Sequence, residues 1–314
     1  MKTHESVDKY LYEALESNEG YYVGLKNTDV IPLSLSRALQ EKGYIINTLD
    51  KMAKGGRAID IELINPITGR WMTGSSSGTA INVFKSINDI GIGTDGGGSV
   101  LAPALALNLY AMISPLFEKE TLRKHFKAST DGIGFTPSLG FMTRDIELLE
   151  SIVTDLYPLD NQPETLTPIY MKSPINVHQS LNDAMNLDVK VIESLSYDGL
   201  NRKDMMAELS QIDFGKNILI TAEGPVDYFE YGDSVMGHYD DITKEKQRLG
   251  HKYYLKVINM LDLSAIIVPT QFLSRGYLII FKSDYKVFNQ AFTLAKQFKF
   301  KRSTLEQNYF KEKR

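Results

Sequence analysis

Cysteine is absent from the 314-residue chain. Without it there is no disulfide framework, no thiolate nucleophile, no Cys-ligated iron–sulfur cluster and no Cys-based zinc site. Histidine is nearly as scarce. His4, His125, His178, His238 and His251 stand apart, with no HxH or HxxxH pair among them, so neither a histidine-rich metal centre nor a bound cofactor is expected. Charge of one sign is not in excess either. Thirty-five basic against 39 acidic side chains leave a net charge of −4, which forecasts no polyanion partner and argues against nucleic-acid binding. Long hydrophobic runs are missing too. No stretch reaches the ~18 consecutive apolar residues of a membrane span, and the greasiest run, Val100 to Phe117, is broken by Pro103, Asn108 and Pro115. The N-terminus is charged from Lys2 and lacks an apolar signal-peptide core. These absences lead us to expect a cytoplasmic protein without a membrane partner.

What is present is ordinary globular material: 43% hydrophobic and 24% charged residues, enough for a sizeable core in one large domain or two smaller ones. Periodicity predicts a short amphipathic helix over residues 4–17 and a strand over Tyr21–Leu25 ending at Lys26. A helix over Ser34–Glu41 stops at Gly43, and a strand follows over Tyr44–Leu49. Further on, the pattern predicts helices over Thr79–Lys85, residues 101–117, Asp145–Leu156, Lys244–Asn259 and residues 284–298. Strands are expected over Ile87–Ile92, Val189–Ser194, Asn217–Ala222, Ala265–Pro269 and Tyr277–Phe281. The proline-rich stretch Pro158–Pro174 reads as a surface connection. The basic segment Lys299–Arg314 reads as a solvated tail.

Two clusters of small residues stand out, Gly74-Ser75-Ser76-Ser77-Gly78 and Gly93-Thr94-Asp95-Gly96-Gly97-Gly98-Ser99. Such clusters mark places where backbone closely approaches other backbone or a ligand. Gly91 to Gly96 is also a literal GxGxxG. A dinucleotide site, however, needs an acid at the end of the next strand, and Glu118 and Glu120 follow an expected helix and Pro115. No GxxxxGK[ST] phosphate loop occurs.

Taken together, the two clusters resemble the amidase signature family. Its hallmarks are a GGSSGG cluster and a GTDxGGSxRxPA cluster, whose serines are 24 positions apart here. Tyr22 to Asn27, Leu39 to Leu49 with Met52, Asn65-Pro66, Thr136 to Gly140 and Met142 to Asp145 follow in the family's order. The specific likeness covers roughly residues 22–156, and a fainter echo remains in Ile266 to Thr270. The resemblance implies an α/β fold in which helices cover both faces of a mixed β-sheet, here as one compact domain over residues 1–314. It implies a hydrolase acting on a carbon–nitrogen amide bond, with a small amide or ester as substrate; a homo-oligomer is left open.

Carried over residue by residue, Ser99 matches the acylating nucleophile, Ser75 the bridging serine after a cis Gly74–Ser75 peptide, and Lys26 the general base. Gly96, Gly97, Gly98 and Ser99 match the backbone donors of an oxyanion hole, and Ser76, Thr94 and Asp95 match supporting positions. The chemistry is coherent in its own terms. A serine hydroxyl is a poor nucleophile until a neighbour takes its proton, and burial lets a lysine do so by disfavouring its charged form.

Several positions depart from the family pattern. Leu101 stands where the family has an arginine that would neutralise Asp95, and Ser77 replaces a glycine. The interval from Lys26 to Ser75 is short, so the segment that covers the family's active site is largely missing. Two further readings therefore accompany the hydrolase: a catalytically altered binding protein, and an amidotransferase or amide-forming enzyme using the same triad. Tyr21-Tyr22, Trp71-Met72 and Tyr228–Tyr231 are candidates to line a substrate pocket.

Overall fold

The computed structural model describes residues 4–11, 20–157, 159, 162–172, 189–194, 201–233, 235, 237 and 239–298. The strands are β1 (Val7–Tyr10), β2 (Tyr22–Lys26), β3 (Ile45–Asp50), β4 (Ile59–Ile64), β5 (Trp71–Thr73), β6 (Ile90–Asp95), β7 (Tyr110–Ser114), β8 (Lys127–Ala128), β9 (Gly134–Phe135), β10 (Ser138–Thr143), β11 (Thr167–Lys172), β12 (Lys190–Glu193), β13 (Asn217–Glu223), β14 (Leu263–Pro269) and β15 (Gly276–Lys282). The helices are α1 (Leu33–Glu41), α2 (Ser77–Phe84), α3 (Leu101–Ala106), α4 (Lys119–Leu122), α5 (Ile146–Leu156), α6 (Arg202–Leu209), α7 (Asp241–Arg248) and α8 (Tyr285–Gln297).

Eleven strands form one mixed sheet in the order β1-β3-β2-β6-β10-β7-β14-β15-β13-β11-β12. Strand alternation divides its side chains between two apolar layers. Tyr277, Ile279 and Phe281 of β15 face a layer that includes Leu35 and Leu39 of α1, Leu149 and Ile152 of α5, and Phe288 and Phe292 of α8. Leu278 and Ile280 face the opposite layer, with Ile81 and Val83 of α2, Leu105 of α3 and Leu209 of α6. Strands buried on both faces read as continuous apolar runs, which is why β14 and β15 are legible in the sequence. The expected mixed sheet with helices on both faces is present.

Several expected elements differ. Val7–Tyr10 is a strand, not part of a helix, because it pairs antiparallel with β3 from Val7↔Asp50 to Tyr10↔Thr48. A short amphipathic helix is marginal alone, and the ladder offers those backbone groups partners; residues 12–17 lie outside the described residues. The run 101–117 is not one helix. Asn108, at φ +52, ends α3, and its side chain is held by the Ser274 N–H and the Thr270 and Phe272 carbonyls; the chain then continues as β7. A uniformly apolar run does not distinguish a buried helix from a buried strand.

The stretch that reads as a surface connection contains β11, which pairs parallel with β13 from Thr167↔Asn217. The helix over 244–259 starts at a capping box on Asp240 and ends at Arg248, because His251 takes φ +46. Single 3-10 turns follow at Tyr254–Lys256 and Asn259–Leu261. Because β7 follows α3, Glu118 and Glu120 do come after a strand. Strand β10, however, lies between β6 and β7, so these are not the adjacent strands of a dinucleotide-binding unit. The tail 299–314 lies outside the described residues.

Candidate active site

The parity of β2 decides where Lys26 points. Val23 and Leu25 belong to the α1 and α5 layer, so Gly24 and Lys26 face the other side, where α2 packs. Strand β6 runs parallel to β2 from Val23↔Ile90 to Leu25↔Ile92, so Lys26 and Asp95 leave the sheet at the carboxyl ends of neighbouring strands. Open α/β sheets form their ligand crevices at such ends. Glycines in β6 let α2 come close. A Cβ on Gly91 would stand 2.7 Å from Thr79 Cγ2, and one on Gly93 would stand 2.5 Å from Ser76 Oγ.

The start of α2 delivers Ser75. Gly74, at φ +73, turns the chain with Pro103 packed against its Cα, a conformation open to glycine. The cis peptide among the described residues is Gly224–Pro225, so the expected cis bond at Gly74–Ser75 is not formed; Gly74 takes φ +73. The two small-residue clusters are tied by a hydrogen bond from Ser76 N–H to the Ser99 carbonyl at 3.2 Å. Ser77 donates to Asp60 Oδ2 at 2.5 Å, which gives the serine in place of glycine a structural partner.

Lys26 is 4% exposed. Its ammonium donates to Ser75 Oγ at 2.8 Å, Thr94 Oγ1 at 3.0 Å and the Thr94 carbonyl at 3.4 Å. Burial lowers its pKa to about 7, opposed by the Asp95 charge and assisted by the like charge of Lys127. Near neutral pH, an amine in this state is available as a base.

A cavity of about 330 Å³ is lined by Lys26, Ser75, Thr94, Asp95, Gly96, Gly97 and Ser99. Ser99 is half-buried, and no hydrogen bond joins its hydroxyl to Ser75 among the described residues. Ser76 and Gly98 do not line the cavity. Ser76 Oγ is buried without a partner, facing β6.

Asp95 accounts for both the missing arginine and the role of Gly98. Its carboxylate is fully buried and accepts from Gly98 N–H at 2.7 Å, Val100 N–H at 2.6 Å and Leu101 N–H at 3.4 Å. The backbone leading into α3 thus supplies donors in place of a guanidinium, and burial still raises the Asp95 pKa against them. Leu101 is free to pack into the apolar layer. Gly98 is therefore not an oxyanion donor here, because its N–H is taken by Asp95. The N–H groups of Gly96, Gly97 and Ser99 have no partner among the described residues.

Three segments wall the cavity. Met52 and Gly55 to Ala58 form one wall, the β8–β9 hairpin with Lys127 and Phe135 a second, and Arg202, Asp233 and Met260 a third. Sequence reasoning missed Arg57, Lys127, Phe135, Arg202 and Asp233, which belong to no local motif and converge only through the topology. The aromatic candidates do not line the cavity. Tyr21 stacks on Tyr44, and Trp71 stacks on Tyr231 at a ring separation of 5.4 Å beneath the Arg70 guanidinium.

No protein-family profile matches the sequence, and a sequence search of curated proteins finds no match. Solved structures do match in three dimensions. A structure described as an amidase superposes with a TM-score of 0.60 at 14% identity, over 94% of this chain and 92% of that one. The native peptide amidase from Stenotrophomonas maltophilia gives 0.59 at 13%, over 95% and 90%. The glutamyl-tRNA(Gln) amidotransferase subunit from Thermotoga maritima gives 0.61 at 14%, over 90% and 84%. The chain has the amidase-signature fold. The fold is shared with each of these three proteins. No helix among the described residues is long and apolar enough to cross a membrane.

Proposed function

We propose that the protein is a serine amidase that cleaves a small amide through an acyl-enzyme on Ser99, with Ser75 and Lys26 relaying the proton. The observation that carries this reading is the buried Lys26, its pKa near 7, bonded at 2.8 Å to Ser75 in the cavity that Ser99 also lines. Neutral Lys26 accepts a proton by way of Ser75 as Ser99 Oγ attacks the carbonyl carbon. The carbonyl oxygen takes the developing charge and faces the unpartnered N–H groups of Gly96, Gly97 and Ser99. One such donor is worth about 2.7–4 kcal/mol in the transition state. The tetrahedral intermediate collapses as the leaving amine receives the proton from the relay. Water, deprotonated by the same pair, then hydrolyses the ester and regenerates Ser99. The Ser75–Ser99 hydrogen bond forms when substrate fills the cavity, as contacts of unliganded catalytic groups commonly tighten on binding. We also read residues 1–314 as one domain, supported by a single sheet that draws strands from both halves of the chain.

A fluorophosphonate probe tests the reading. It is expected to label the wild type at Ser99, to leave Ser99→Ala unlabelled, and to react far more slowly with Lys26→Met. Wild-type protein that resists the probe, or labelling unaffected by loss of Lys26, overturns the proposal. Hydroxylamine added during turnover reports the acyl acceptor, because an acyl-enzyme open to amines partitions to the hydroxamate.

A further inference from the structure

Resting on that reading, we infer that the amide this site takes carries a carboxylate, seated between Arg202 and Lys127 beside the glycine loop. The charged groups around the cavity differ in how fully they are engaged. Arg57 donates from Nε and Nη2 to Asp233 Oδ2 at 3.2 and 2.6 Å, so that pair is closed. Asp95 is held by backbone amides. Arg202, the first residue of α6, is only half engaged. Its Nη1 donates to Asp131 at 2.6 Å, and its Nε is buried with no partner. Its Nη2 lies 3.6 Å from the position a Cβ would take on Gly97.

Lys127 is exposed on the β8–β9 hairpin and has no carboxylate partner among the described residues; its ammonium stands 5.6 Å from the centre of the Phe135 ring. Its charge nevertheless reaches Lys26 across the cavity. A planar guanidinium with free N–H donors in a semi-enclosed site suits a carboxylate. A neutral amide would leave the Arg202 donors unanswered.

Geometry also bounds the ligand. Gly97 and Ser99 are two residues apart, and Arg202 Nη2 lies 3.6 Å beyond a Cβ on Gly97, so the guanidinium lies within roughly 12 Å of the backbone carrying the nucleophile. That distance and the small cavity fit a short chain between the carboxylate and the scissile carbonyl.

The test compares isosteric amides. Succinamate and 4-methylpentanamide place a carboxylate or an isopropyl group at the end of the acyl part; N-acetylglycine and N-isobutylacetamide do the same on the amine. In at least one pair the anionic member is expected to have the higher kcat/KM by roughly 10- to 100-fold, the worth of one charge-assisted hydrogen bond. Arg202→Met is expected to bring that ratio close to one. Lys127→Met, an exposed change that does not disturb the Arg202–Asp131 pair, is expected to lower it by a smaller factor. No preference in either pair, or a preference that survives both substitutions, overturns the inference. Calorimetric binding of succinamate and N-acetylglycine separates the two proposals. Binding of either that depends on Arg202, without turnover, sinks the hydrolase and leaves the carboxylate site. Turnover of neutral amides without charge preference does the reverse.

Discussion

The floor of the cavity and its mouth both hold cationic side chains, in opposite states. On the floor, Lys26 lies at a strand end beneath α2, surrounded by oxygen acceptors, and burial brings its pKa to about 7. At the mouth, Lys127 sits on a two-stranded hairpin open to water, and Arg202 keeps donors free beside the glycine loop. The carboxylates divide in the same way. Asp95 on the floor is held by three backbone N–H groups, and Asp233 at the mouth by an arginine. The contrast shows that residue type does not set the role. Burial under the sheet's carboxyl edge eases loss of the Lys26 proton, whereas Lys127 stays in water and the always-charged Arg202 is matched by Asp131.

The largest test of this contrast removes the floor. Ser99→Ala is expected to lower kcat by roughly 10⁴- to 10⁶-fold, the range seen when a serine nucleophile is lost. Lys26→Met is expected to cost roughly 10²- to 10⁴-fold, the usual worth of general base catalysis. Single-turnover kinetics on one amide checks both; a Lys26→Met enzyme that keeps wild-type kcat removes the lysine from the mechanism. Next in size comes Leu101→Arg, which places at 101 the arginine that the resemblance leads one to expect. Asp95 is already satisfied by backbone donors, and residue 101 is fully buried in an apolar layer. The arginine is therefore expected to destabilise the fold by several kcal/mol, read as a lower urea midpoint. A midpoint at or above wild type would mean that Asp95 lacks a partner after all.

The floor was legible in the sequence and the mouth was not, for a physical reason. Lys26, Ser75 and Ser99 sit beside short-range signals, a β-run and two small-residue clusters, whose spacing reflects turns the backbone must make. Even there, Gly98 was misread. Three consecutive glycines look equivalent as letters, and only the Asp95 hydrogen bond separates the one facing the carboxylate from the two facing the cavity. Arg202 lies more than 100 residues from Ser99 and follows the glycine loop in no motif. Its position depends on where α6 packs, which is a property of the whole sheet. The helix misread over 101–117 has a similar origin, because full burial erases the periodicity that distinguishes strand from helix.

The smallest expected effect probes whether mouth and floor communicate. Lys26 accepts a proton only when neutral, so kcat/KM is expected to rise with pH through about 7 and level off above it. The Lys127 charge repels the protonated form of Lys26 and so helps to hold its pKa down. Removing that charge makes protonation of Lys26 easier, and the midpoint of the limb should move to higher pH in Lys127→Met. Lys127→Glu should move it further in the same direction, because attraction replaces repulsion. The shift should shrink at 1 M salt, where the screening length falls to about 3 Å. A pH profile of kcat/KM for a neutral amide measures this without engaging the carboxylate site. If neither substitution moves the limb, the floor is insulated from the mouth, and burial and the Asp95 charge set the basicity of Lys26.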